Sequence, residues 1–84
     1  MSTVRLRYFA SIREALGVGE TVELDDGATL ASLRDTLIAR GGAHAAALGR
    51  ARPVRAALNQ VLCDEASVIP AGAEVAFFPP VTGG

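Results

Sequence analysis

Only one stretch of this chain carries a sustained helical period. Leu30, Leu33, Leu37 and Ile38 fall at i, i+3, i+7 and i+8 and make a single apolar stripe. Thr29 stands where an N-cap belongs, Arg34, Asp35 and Arg40 lie off the stripe, and Gly41-Gly42 ends the segment. A chain of 84 residues is one domain, and at that size roughly 60–65% of the unfolded surface has to be buried. One helix cannot do this alone, so its stripe must cover a sheet. Hydrophobic residues make up 50% of the chain, enough for such a core.

The sheet is written in short alternating runs. Val4, Leu6 and Tyr8 share one face of residues 3–9, with Arg5, Arg7 and Phe9 on the other, the pattern of a half-buried strand. Ser11 opens a short helical turn through Leu16, closed by Gly17. Thr21 to Leu24 form a second strand, stopped by Asp25-Asp26-Gly27. Residues 43–53 are Ala- and Gly-rich without a clear period and read as a loop with one extra helical turn around Ala45–Leu48. Val54, Ala56 and Leu58 alternate with Arg55 and Ala57, Asn59-Gln60 is a turn, and Val61-Leu62 is a short strand. After the turn Ile69-Pro70-Ala71-Gly72, Glu74 to Phe78 form the last strand. The order β-β-α-β-(β)-β gives an α+β fold: a small mixed sheet with one main helix packed on one face. The first and last strands can pair in parallel at its centre, with hairpins outside. This is the β-grasp arrangement, and other small α+β folds share the pattern. The domain covers residues 1–78, and residues 79–84 form a tail.

Little in the chain supports independent catalysis. His44 is the only histidine, in a loop where a solvated side chain is expected, and Cys63 is the only cysteine, read as an incidental or structural thiol. No Cys/His set has metal-ligand spacing. Asp25-Asp26 and Asp64-Glu65 sit at turn signals, where Asp serves the backbone. Gly17-Val18-Gly19 follows a helix rather than a strand, so it fails as a dinucleotide loop. All eight basic residues are arginine. Without lysine there is no P-loop, no Schiff base and no side-chain amine to accept an isopeptide bond. The net charge of −1 argues against nucleic acid as the main partner. No apolar run reaches the ~18 residues of a membrane span. The N-terminus enters a strand pattern at once, and a lone cysteine suits a reducing compartment, so a soluble cytoplasmic protein is expected.

The C-terminal run Pro79-Pro80-Val81-Thr82-Gly83-Gly84 is different. Neither proline supplies an N–H, and Pro79 restricts Phe78, so the chain has to leave the sheet in extended form. Six residues reach at most ~20 Å. Gly83 and Gly84 lack a Cβ and would pass a channel too narrow for other residues. A terminal carboxylate is a poor electrophile unless activated, for example as an acyl-adenylate. Such a tail suits a group handed into another protein's active site.

The segment Glu74-Val-Ala-Phe-Phe-Pro-Pro-Val-Thr-Gly-Gly84 resembles the C-terminus of the MoaD family, the ubiquitin-like sulfur carriers that serve as small subunits of molybdopterin synthase. Val4-x-Leu-x-Tyr-Phe-Ala10 followed by Arg13-Glu14 is also similar, as are the length and element order of this MoaD/ThiS-like β-grasp group. Residues 41–53 carry no signature. The resemblance implies that an E1-like, MoeB-like enzyme uses ATP to adenylate Gly84, and that a sulfur donor protein turns the adenylate into a thiocarboxylate. It further implies that the tail enters a MoaE-like large subunit, which builds the molybdopterin dithiolene from cyclic pyranopterin monophosphate. Gly84 would carry the sulfur and Gly83 would give clearance, while Pro79, Pro80, Val81 and Thr82 set the tail's direction and depth. No permanently bound cofactor is implied.

Phe9 and Phe78, both expected on the outward face near the root of the tail, would anchor the partner. Arg5, Arg7 and Arg55 would either steer an acidic patch or form a solvated sheet face. A carrier for thiamine or cysteine biosynthesis, a ubiquitin-like modifier and a binding module with an inert tail are the alternatives.

Overall fold

The N-terminal alternation becomes strand β1 (Ser2–Tyr8), in which Val4, Leu6 and Tyr8 are at most 2% exposed while Thr3, Arg5 and Arg7 face solvent. The computed structural model describes residues 1–80. In chain order β1 is followed by α1 (Ala10–Leu16), β2 (Gly19–Leu24), α2 (Leu30–Ile38), α3 (Gly42–Leu48), β3 (Arg55–Leu58), β4 (Val61–Cys63) and β5 (Glu74–Phe78). The sheet order is β2-β1-β5-β3-β4, with β1 and β5 parallel at the centre and every other pairing antiparallel. This is the expected mixed sheet with two outer hairpins. The β3–β4 hairpin turns at Asn59 and Gln60, both at positive φ, the geometry of a two-residue turn that follows strand twist.

Helix α2 lays Leu30, Leu33 and Leu37 into one core with Val4, Leu6, Tyr8, Val75 and Phe77. Thr29 caps it: the Thr29 hydroxyl accepts from the Ser32 N–H at 3.1 Å, and the Ser32 hydroxyl accepts from the Thr29 N–H at 2.9 Å. The helix ends at Ile38 with Ala39 as its C-cap, before the glycines expected to close it.

Five sequence expectations need correction. Residues 42–48 form a full helix, α3, packed on α1 and α2, not one extra turn. Alanine favours helix without leaving a period to see, and only Leu48 of α3 is fully buried. Ser11 lies inside α1; Phe9 is its N-cap and supplies no side-chain cap bond. Arg34, off the apolar stripe, is nonetheless 4% exposed, because the chain after α3 folds over it. Its Nε donates to the Leu48 carbonyl at 2.7 Å, and Nη2 donates to the carbonyls of Gly49 at 2.9 Å and Arg52 at 3.1 Å. Its Nη1 pairs with Glu65 at 2.8 Å, and Glu65 also pairs with Arg50, which reaches Asp35 at 2.8 Å. Asp64 does serve the backbone, accepting from the Ala66 N–H, but Glu65 is an ion-pair partner and not turn chemistry.

His44 is the fifth correction. Instead of being solvated it is half-buried on α3, with Nε2 3.5 Å from a Glu20 carboxylate oxygen. Glu20 also receives the Tyr8 hydroxyl at 3.1 Å and Arg40 at 2.7 Å. Burial, then the neighbouring Glu20 charge, pushes the Tyr8 phenol far above its ordinary range. Cys63 is a free, half-buried thiol packed against the core. No helix among the described residues is long and apolar enough to cross a membrane.

Candidate functional site

The tail leaves from β5, whose neighbours on both sides fix its position. Val75 and Phe77 point into the core, so Glu74, Ala76 and Phe78 fall on the face that carries no helix. The strand stops at Phe78 because Pro79 and Pro80 have no N–H to continue the ladder. Val81, Thr82, Gly83 and Gly84 lie outside the described residues.

Around this exit the chain builds an open depression of about 520 Å³, lined by Arg7, Phe9, Ala10, Gln60, Glu74, Ala76, Phe78, Pro79 and Pro80. Phe9 follows β1 rather than lying within it. Its N–H donates to the Phe77 carbonyl at 3.2 Å, and Ala10, at φ 53, then turns the chain into α1. That left-handed residue holds Phe9 beside the sheet, 37% exposed, with the Arg7 guanidinium 5.3 Å from its ring centroid. Phe78 is half-buried. The two aromatics expected near the tail root therefore line one depression, with both prolines.

Register extends this surface across the sheet. Arg7 lies beside Ala76, Ala76 beside Ala57, and Ala57 beside Leu62, so one outer row runs from β1 to β4. Leu62 is 60% exposed, whereas Ala57 is almost covered by its neighbours. Leu62, Gln60 and Ala10 were not anticipated as part of this surface. The two-residue turn followed by alternation could have placed Leu62 there, but nothing local marks Gln60 or Ala10. A second, smaller hollow of about 260 Å³ opens between α1, α3 and residues 52–54, and Pro79 lines both. No described group of three or more His, Cys, Asp and Glu residues is arranged to hold a metal ion.

The family model described as "ThiS family" matches residues 6–84. The chain belongs to the ThiS family. It is 42% identical over 77 residues to the molybdopterin synthase sulfur carrier subunit of Haemophilus influenzae, spanning 92% of this chain and 94% of that protein. It is 38% identical over 81 residues to the protein of the same name from Escherichia coli, spanning 96% and 99%. Among solved structures it is similar to small archaeal modifier protein 1 of H. volcanii, at 25% identity and a TM-score of 0.76 over 96% of this chain and 100% of that one. It is also similar to a chain in the complex of subunits 1 and 2 of the molybdopterin-converting factor from Helicobacter pylori 26695, at 26% identity and a TM-score of 0.69 over 98% and 99%. The fold is that of the ubiquitin-like β-grasp proteins in this group.

Proposed function

We propose that this chain is the sulfur carrier subunit of a molybdopterin synthase, working in the cytoplasm, with Gly84 as the atom-bearing terminus. The observation that carries the reading is near full-length likeness to two sulfur carrier subunits, together with a family match that runs through Gly83 and Gly84. On an E1-like activating enzyme the Gly84 carboxylate displaces pyrophosphate from ATP and becomes an acyl-adenylate. Sulfur released at the sulfide level by a donor protein then attacks the acyl carbon, the C–O bond to AMP breaks as the C–S bond forms, and AMP and a thiocarboxylate result. The depression lined by Phe9, Phe78, Pro79 and Pro80 supports docking to a large subunit, since an exposed and a half-buried aromatic around a small-residue floor suit an interface anchor. Val81 and Thr82 span the distance to the partner's active site, and Gly83 leaves room for the approach. The large subunit supplies the catalytic side chains and uses the sulfur for the molybdopterin dithiolene.

Intact mass after incubation with ATP, an activating enzyme and a sulfur source tests this. The expected result is an ATP-dependent replacement of oxygen by sulfur that is absent from a chain lacking Gly84. No change, with partners proven active on another carrier, would sink the reading. Likeness to an archaeal modifier favours one other outcome, attachment of Gly84 to amines of other proteins, visible as conjugates in the same reaction.

A further inference from the structure

The sheet face without helices holds three arginines that the fold itself does not use. Arg5 and Arg7 alternate with the buried residues of β1, and Arg55 lies beside Phe78 in the β3–β5 register. All three are exposed, and among the described residues none forms an ion pair. Gly19 is the register partner of Arg7, so no side chain from β2 shields it there, and a Cβ added to Gly19 would lie 2.1 Å from the Leu6 carbonyl oxygen. Among the residues paired in β1, β2 and β5, the carboxylates on the same face are Glu74, beside Arg5, and Glu23, farther from the tail beside Thr3, while Asp64 follows β4 on the Arg55 side. At the tail end of the face Arg7 and Arg55 have no acidic register partner, so positive charge is set apart there on a chain whose net charge is −1, whereas Arg5 lies beside Glu74 at the far end of β5. Such separation orients a molecule as it approaches a charged partner.

We propose that Arg5, Arg7 and Arg55 frame the docking surface as a cationic rim and match an acidic rim on the large subunit, selecting it over surfaces that are only apolar. The proposal rests on the sulfur-carrier reading above and adds the electrostatic class of its partner. The apolar centre, Ala76 and Phe78 with Leu62 beyond, supplies contact area but little discrimination. Guanidinium groups are weakly hydrated and meet carboxylates through two parallel hydrogen bonds, so they suit an interface that must shed water. Arg7 already stands over the Phe9 ring and is partly ordered before any partner arrives.

The test uses the complete chain and its large subunit, with association followed by stopped flow from about 50 to about 500 mM NaCl. The native rate should fall steeply with salt. An R5Q/R7Q/R55Q variant that melts like the native chain should associate about tenfold or more slowly at low salt, with a flattened salt slope. The two curves should meet at high salt. Equal rates and equal slopes for native and variant chains would overturn the cationic rim while leaving the carrier reading intact. A native chain that never binds the large subunit would overturn both.

Discussion

On the helix-covered side of the sheet, Arg34, Arg40 and Arg50 each close onto a carboxylate, whereas on the bare side Arg5, Arg7 and Arg55 meet none among the described residues. The residue type is the same and the surroundings differ. Beneath the 49–52 segment, Arg34 satisfies three backbone carbonyls and is nearly out of water, so its charge must be compensated within the fold. On the bare face the guanidiniums stay hydrated, and their field reaches outward. An arginine count thus says little until each side chain is assigned to a face.

The largest effect should come from the buried side. Arg34→Met keeps the apolar stem but leaves three carbonyls unpaired, and should lower unfolding free energy by about 3 kcal/mol, read by urea denaturation. A loss under about 1 kcal/mol would mean that the 49–52 segment does not depend on Arg34.

Acid should act on the same side. Burial pushes Glu65 upward, but hydrogen bonds from Arg50 and Arg34 outweigh it and hold the carboxyl below its ordinary 4.5. Glu20 behaves alike, with Arg40 and Tyr8 outweighing burial. A folded-state pKa lower than the unfolded one gives stability that is present above the unfolded value and lost as pH falls through the folded value. Urea midpoints at about pH 6 and about pH 3 should therefore differ less for Glu65→Gln than for the native chain. Equal drops would exclude Glu65 as a source of acid sensitivity.

Tyr8→Phe removes the phenol that donates to Glu20 and should cost about 1 kcal/mol in the same denaturation assay. Arg55→Gln, on the bare face, should change stability by less than about 0.5 kcal/mol. A thermal melt that places Arg55→Gln beside Arg34→Met would abolish the contrast between the two faces.

The fold was legible where the pattern was local. Val4, Leu6 and Tyr8 announced a strand, the leucine stripe announced α2, and Asn59-Gln60 announced a hairpin. Arg34 and α3 were not legible for a shared reason. Whether Arg34 is wet depends on a segment 14 to 18 residues away folding across it, and alanines at positions 45–47 give no contrast between faces. The docking surface was half legible: alternation put Phe78 outward and Asn59-Gln60 marked a turn, but that this turn brings Gln60 to the tail root depends on the pairing of β3 with β5, and nothing local marks the positive φ of Ala10. Pro79-Pro80 marked the strand's end in advance because a missing N–H is a property of the residue itself.

The parallel pairing of β1 with β5 has a consequence for biosynthesis. The last strand in the chain is the central one, flanked by β1 and β3, so the sheet stays split in two until β5 has emerged. Its partner β1 lies some seventy residues earlier, Arg5 beside Glu74, making this the longest loop the chain has to close. A nascent or truncated chain without β5 exposes the core edges of β1 and β3 and is a natural substrate for proteases and chaperones. The strand that bears the tail is thus also the strand that completes the sheet, and a carrier with an ordered tail root has passed its own folding check.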